Sequence, residues 1–130
     1  MSLRRAVFFL RYWLPVLLWA GLIFALSSIS GLESGLPKQW DFLLRKLGHI
    51  VEYAILTALL IRALQAHGLP PNKTLIWGAL LALLYALSDE IHQSFIPGRE
   101  GALRDVLIDG LGVGLVTLLF LSLQGCSFRS

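Results

Sequence analysis

Asp105-Val106-Leu107-Ile108-Asp109-Gly110-Leu111-Gly112-Val113-Gly114-Leu115-Val116-Thr117-Leu118-Leu119-Phe120-Leu121-Ser122-Leu123-Gln124 is the stretch on which the fold turns. From Gly110 to Phe128 it carries no charge, and two aspartates stand four residues apart at its start. A helix needs about 20 mostly apolar residues to cross a bilayer, and this run supplies them. The solvent for the segment is therefore lipid, with a polar end built from carboxylates.

A second charge-free run extends from Tyr12 to Ile29, behind Arg4, Arg5 and Arg11. It has the flanks of a secretory signal, with Ser27, Ser28 and Ser30 following. The hydrophobicity further along the chain predicts a retained anchor, with Pro15 tolerated near its start. Two more segments are shorter. Lys46 and Arg62 enclose 15 residues, and Thr74–Ser88 is an uncharged run of 15. At 1.5 Å per residue that is about 22 Å, short of a hydrocarbon core of about 30 Å. The second segment must therefore take in His49 and Glu52, and the third must reach Phe95 through Asp89, Glu90 and His92. Ionisable side chains are forced into or against the membrane, where each costs several kcal/mol unless paired.

Composition agrees. Of 130 residues, 56% are hydrophobic and 15% charged, against about 25% charged in soluble domains. The expected fold is all-α: one integral-membrane domain over 1–130, an up-down four-helix bundle with short loops and spans near 12–29, 44–65, 74–95 and 105–124. Residues 30–45 read as a connection with Trp40 as an interfacial anchor, 67–73 as a tight turn stopped by Gly68 and two prolines, and 96–104 as a turn through Pro97-Gly98. Trp13, Trp19 and Trp77 read as interface or lipid-facing aromatics, and His67 as a solvated turn residue. The single Cys126 excludes an internal disulfide. The net charge of +3 is spread over scattered basic residues, so no nucleic-acid partner is expected.

Alternating crossings put the start of the second helix, the end of the third and the start of the fourth at one face. Six of the eight acidic residues collect there: Glu52, Asp89, Glu90, Glu100, Asp105 and Asp109. Lys46, Arg99 and Arg104 join them and leave a formal −3, which calls for a divalent cation or for protonated carboxyls. Six basic residues on the termini side against five on the other give a slight preference for cytoplasmic termini, placing the cluster on the outer face.

At 100° per residue, Lys46, His49 and Tyr53 share a face with Glu52 on its flank. Tyr85, Ser88, Asp89 and His92 form a stripe from which Glu90 points about 100° away. Asp105, Asp109 and Gly112 align at i, i+4, i+7, with Gly110-x-x-x-Gly114 as a further packing surface. Three such stripes at one depth predict a shared polar pocket.

Lys46-Leu47-Gly48-His49-Ile50-Val51-Glu52-Tyr53, Ser88-Asp89-Glu90-Ile91-His92-Gln93-Ser94-Phe95-Ile96-Pro97-Gly98-Arg99 and Asp105-Val106-Leu107-Ile108-Asp109-Gly110-Leu111-Gly112 together resemble the signature of the VanZ-like membrane proteins. The resemblance spans roughly Lys46 to Gly114. It implies a small multi-pass protein of the bacterial cytoplasmic membrane, in a family whose name-giving member is associated with low-level teicoplanin resistance. It implies no particular reaction.

Three chemistries compete for the polar residues. A divalent metal would take His49, Glu52, Asp89, His92 and Asp109, since His-x-x-Glu and Asp-x-x-His place two ligands on one helix face. A lipid-linked phosphate or other cell-envelope headgroup would be bound by Lys46, His49, Glu90, Gln93, Arg99, Arg104 and Asp105, with a membrane lipid or lipid-linked cell-wall precursor as partner. In a hydrolase or transferase, Glu52, Asp89 and Asp109 would be the catalytic carboxylates, although Ser88 lacks the arrangement of an activated nucleophile. A proton-coupled transporter, working as a homo-oligomer, would rely on Glu52 as its deep carboxylate. The plain structural alternative is a salt-bridge lattice that pins the helix ends.

Overall fold

The computed structural model describes residues 2–30, 35–98, 101 and 103–127. It consists of α1 (Leu3–Ser27), α2 (Lys38–Ala66), α3 (Pro71–Gln93) and α4 (Leu103–Ser127), with no strand among the described residues. Each helix contains a window long and apolar enough to cross a membrane.

Two helices begin earlier than the hydrophobic runs suggest, because a helix is not confined to the uncharged part of its sequence. α1 extends back through Arg4, Arg5 and Arg11, which places Pro15 inside the helix rather than in its first turn. A proline there removes the hydrogen bond to the carbonyl four residues earlier. That carbonyl, on Arg11, instead accepts a hydrogen bond from the Arg62 guanidinium at 3.1 Å. α2 begins at Lys38, so the connection expected over 30–45 is helical from there on. Its first turn closes on the Pro37 carbonyl, which accepts from the Trp40 and Asp41 amides. Asp41 favours the helix N-terminus electrostatically, and Arg45 pairs with it one turn later at 2.6 Å.

The α2–α3 turn follows its sequence signals. Gly68 adopts φ +75°, the left-handed conformation that ends a helix, and its amide reaches back to the Gln65 carbonyl. Pro71 then opens α3, where a missing amide hydrogen costs nothing.

α2, α3 and α4 pack against one another, whereas α1 lies along α2, touches α3 over a short stretch and makes no close backbone approach to α4. The bundle is thus a three-helix core with a fourth helix on its flank. Polar staples fasten α1. Trp13 Nε1 donates to His67 Nε2 and Trp19 Nε1 to the Glu52 carbonyl, both at 2.9 Å. The Tyr85 hydroxyl donates to the Ala20 carbonyl at 2.6 Å. Trp13 and Trp19 are therefore bonded to α2 and its turn rather than simply facing lipid, and His67, exposed in the turn as expected, is also a hydrogen-bond partner. In a bilayer an indole N–H has no water to satisfy it, so these bonds also fix how α1 is rotated.

The α2–α4 seam depends on Gly112. A Cβ at that position would run into the Ile50 carbonyl oxygen and would lie 3.0 Å from the Ala54 amide nitrogen. Gly114 has nothing within 4 Å of where its Cβ would stand. The close approach therefore occurs at Gly112 and not across the Gly110/Gly114 pair. Replacing Gly112 by Ala should lower stability by about 2 kcal/mol or more, the scale of overpacking a tight core. Gly114→Ala should leave stability unchanged or raised, since Ala is the better helix former. Thermal unfolding of the two variants in detergent, followed by circular dichroism, distinguishes these outcomes.

Candidate functional site

Two polar rungs cross the seam between α2 and α4, which run in the same direction. Lys46 Nζ meets Asp105 Oδ1 at 2.6 Å, and His49 Nδ1 meets Asp109 Oδ1 at 3.0 Å. A step of three residues on one helix matches a step of four on the other, about one turn each. The Gly112–Ile50 contact comes next along the same seam, so the glycine that lets the backbones approach also brings the charged side chains within reach.

The Asp89-Glu90 pair on α3 divides between two neighbours, as consecutive helical residues must. Glu90 turns to the seam: one ligand atom each from His49, Glu90 and Asp109 lie within 4.8 Å of one another. Asp89 turns to α1. Its Oδ1 accepts from Ser27 Oγ at 2.6 Å and its Oδ2 from Gln93 Nε2 at 2.9 Å. His92 follows Asp89 one turn on, hydrogen-bonded to Ser28 Oγ at 2.9 Å and stacked on Phe24 at 4.3 Å.

The single chamber predicted from the stripes is thus two adjoining clusters. Of the five residues proposed from spacing as metal ligands, the structure brings His49 and Asp109 together, adds Glu90, and occupies Asp89 and His92 with the serines of α1. Glu52 lies within electrostatic reach of the His49 ring, as does Glu90, but only Glu90 joins the three-residue group. The fully buried Tyr53 stands within electrostatic reach of both Asp89 and Asp109, with its ring tilted against Tyr85 at 6.4 Å. Ser27 and Ser28 escaped the sequence reading because they resemble the tail of a signal sequence. The available clue was their position in the last turn of a helix parallel to α3, at the depth of Asp89 and His92.

A cleft of about 270 Å³ opens at this end of the bundle, lined by Phe42, Arg45, Lys46, His49, Gln93, Gly98, Arg104 and Asp105. Its composition changes with depth. Arg104 has a side chain 75% exposed and forms a 3.8 Å ion pair with Asp105. Arg45, half-exposed and paired with Asp41, also lines the cleft. Further in come the mostly buried Lys46–Asp105 pair and then His49, whose partner Asp109 is completely buried. The Asp109 Oδ2 atom has no hydrogen-bond partner among the described residues. Among the described residues the cleft is lined by the cations Arg45, Lys46 and Arg104 and by the carboxylate of Asp105, with Asp109 buried behind His49. Arg99 and Glu100, also expected here, lie outside the described residues.

A family model described as VanZ/LLP1 matches residues 8–124. The chain belongs to the VanZ/LLP1 family. No curated protein and no solved structure matches it. The family match reaches well beyond the three polar motifs and takes in most of α1, together with the serines that hold Asp89 and His92.

In this VanZ/LLP1 protein the Lys46–Asp105 rung is a mostly buried ion pair, for which breaking and replacing have opposite consequences. Lys46→Met alone takes from Asp105 its close partner, leaving it the exposed Arg104 at 3.8 Å, and should destabilise by about 3 kcal/mol. The double variant Lys46→Met/Asp105→Leu should recover most of that loss. Denaturant or thermal unfolding of the single and double variants provides the check.

Proposed function

We propose that the protein binds a phosphate-bearing lipid headgroup, from a membrane phospholipid or a lipid-linked cell-wall precursor, in the α2–α4 cleft at the outer face of the bacterial cytoplasmic membrane. The observation that carries this reading is the polarity of the cleft. Guanidinium groups stand at its mouth, and carboxylates lie beneath them. Arg104 supplies five N–H donors in a fork that matches phosphate oxygens. The Lys46 ammonium adds positive charge just inside. The carboxylates of Asp105 and Asp109 lie deeper and repel an anion that moves further in. Phosphate would therefore stop at the level of the interface while its acyl or prenyl chains remain in lipid. A lipid-linked precursor of the cell wall carries such a headgroup, which connects this reading to the glycopeptide resistance implied by the family resemblance.

One further observation favours a hydrolase or transferase acting on the same headgroup. The His49 ring lines the cleft while Asp109 holds its Nδ1, the way a carboxylate orients a general base.

The reading is tested on protein reconstituted in nanodiscs containing phosphatidate or a polyprenyl phosphate, with diacylglycerol as the uncharged comparison. Native mass spectrometry should find the phosphate lipids retained by the wild type, and on the order of tenfold less by Arg104→Gln, the scale of one lost charge-assisted hydrogen bond. Equal retention of diacylglycerol, or of phosphate lipid by Arg104→Gln, rejects the reading. Phosphate release by the wild type that disappears in His49→Gln would establish the hydrolytic version.

A further inference from the structure

We infer that His49 of α2, Glu90 of α3 and Asp109 of α4 form a binding site for one divalent first-row transition-metal ion, of which Zn²⁺ suits the donor set best. The set differs from the one that motif spacing suggests, because helix phase directs Glu90, and not its neighbour Asp89, into the seam. Three helices each contribute one ligand atom, and all three atoms lie within 4.8 Å of one another. That proximity arises from tertiary packing, since the residues are 41, 19 and 60 positions apart in pairs along the chain.

A second observation is independent of the clustering. Asp109 is fully buried in the bundle, yet its Oδ2 has no hydrogen-bond partner among the described residues. A buried carboxylate oxygen with no donor carries a desolvation penalty that a cation removes. The Lys46 ammonium, one rung away along the seam, is engaged with Asp105 at 2.6 Å.

Charge and ligand type then select the ion. Two carboxylates and a neutral imidazole total −2, which a dication balances in surroundings where lipid solvates no charge. An imidazole with two carboxylates is a nitrogen–oxygen donor set that suits zinc, manganese or iron, whereas calcium and magnesium favour all-oxygen shells. Three protein ligands leave a position for water or another oxygen, as in zinc sites that act on a substrate. The site stands without the headgroup reading, although His49 lies on the wall of the same cleft.

The test uses full-length protein purified without a histidine tag, stripped with a chelator and titrated with Co²⁺ and then Zn²⁺. The wild type should bind Co²⁺ near-stoichiometrically with visible d–d bands, which Zn²⁺ then abolishes. Glu90→Gln and Asp109→Asn should weaken binding on the order of tenfold or more, the upper part of the range for losing a group that supports a metal site. Asp89→Asn and Arg104→Gln should bind as the wild type does. Absence of Co²⁺ and Zn²⁺ uptake by the wild type overturns the site in favour of a hydrogen-bonded lattice, whether or not the variants fold. Weakening by Asp89→Asn equal to that by Glu90→Gln, with both folded by circular dichroism, overturns this ligand set. Phosphate-lipid retention without metal uptake removes the metal site alone, and metal uptake without lipid preference removes the headgroup reading alone.

Discussion

Lys46 and Asp105 face each other across 2.6 Å between two parallel helices whose outer surfaces meet lipid. Both charges are mostly withdrawn from water, so each is answered chiefly by the other. The rest of the polar architecture follows from this constraint. The helices must approach closely at one level, and Gly112 against Ile50 permits it. The next rung, His49 with Asp109, falls at the distance set by the helical repeat. A third helix must then present its polar side chains at that depth, which α3 does with Glu90 on one flank and Asp89 on the other.

The same constraint explains α1. A helix packed on the side of a three-helix core in lipid gains no hydrophobic stabilisation over the lipid it displaces. Specific hydrogen bonds hold it instead: indoles to His67 and to the Glu52 carbonyl, serines to Asp89 and His92, and a tyrosine to the Ala20 carbonyl. The Arg62 guanidinium on the Arg11 carbonyl belongs with them, since Pro15 leaves that carbonyl without its intrahelical partner. Residues that look in isolation like breakers, belts and loose ends together fix the position and rotation of one helix.

Function, in the reading proposed here, uses the difference between the mouth of the cleft and its floor. Guanidinium groups where the protein meets headgroups suit phosphate, and carboxylates with an imidazole in the dry interior suit a metal ion. Both depend on α2, α3 and α4 reaching a common depth, a property of the bundle rather than of any single motif.

The sequence by itself determined the number of helices, their alternation across the membrane, the turn at Gly68 and the end of the bundle at which most of the acids gather with His49 and His92. Apolar run length and the cost of burying charge in lipid are local properties, legible in one dimension. Helix starts were less legible, since Lys38–Arg45 is charged and the helix signal there lay in the Asp41/Arg45 spacing. Only the tertiary structure decided which neighbour each polar side chain meets. Asp89 and Glu90 are adjacent in sequence and chemically alike. A rotation of about 100° between them gives one to the serines of α1 and the other to His49 and Asp109, and that choice depends on how α1 and α4 are placed around α3.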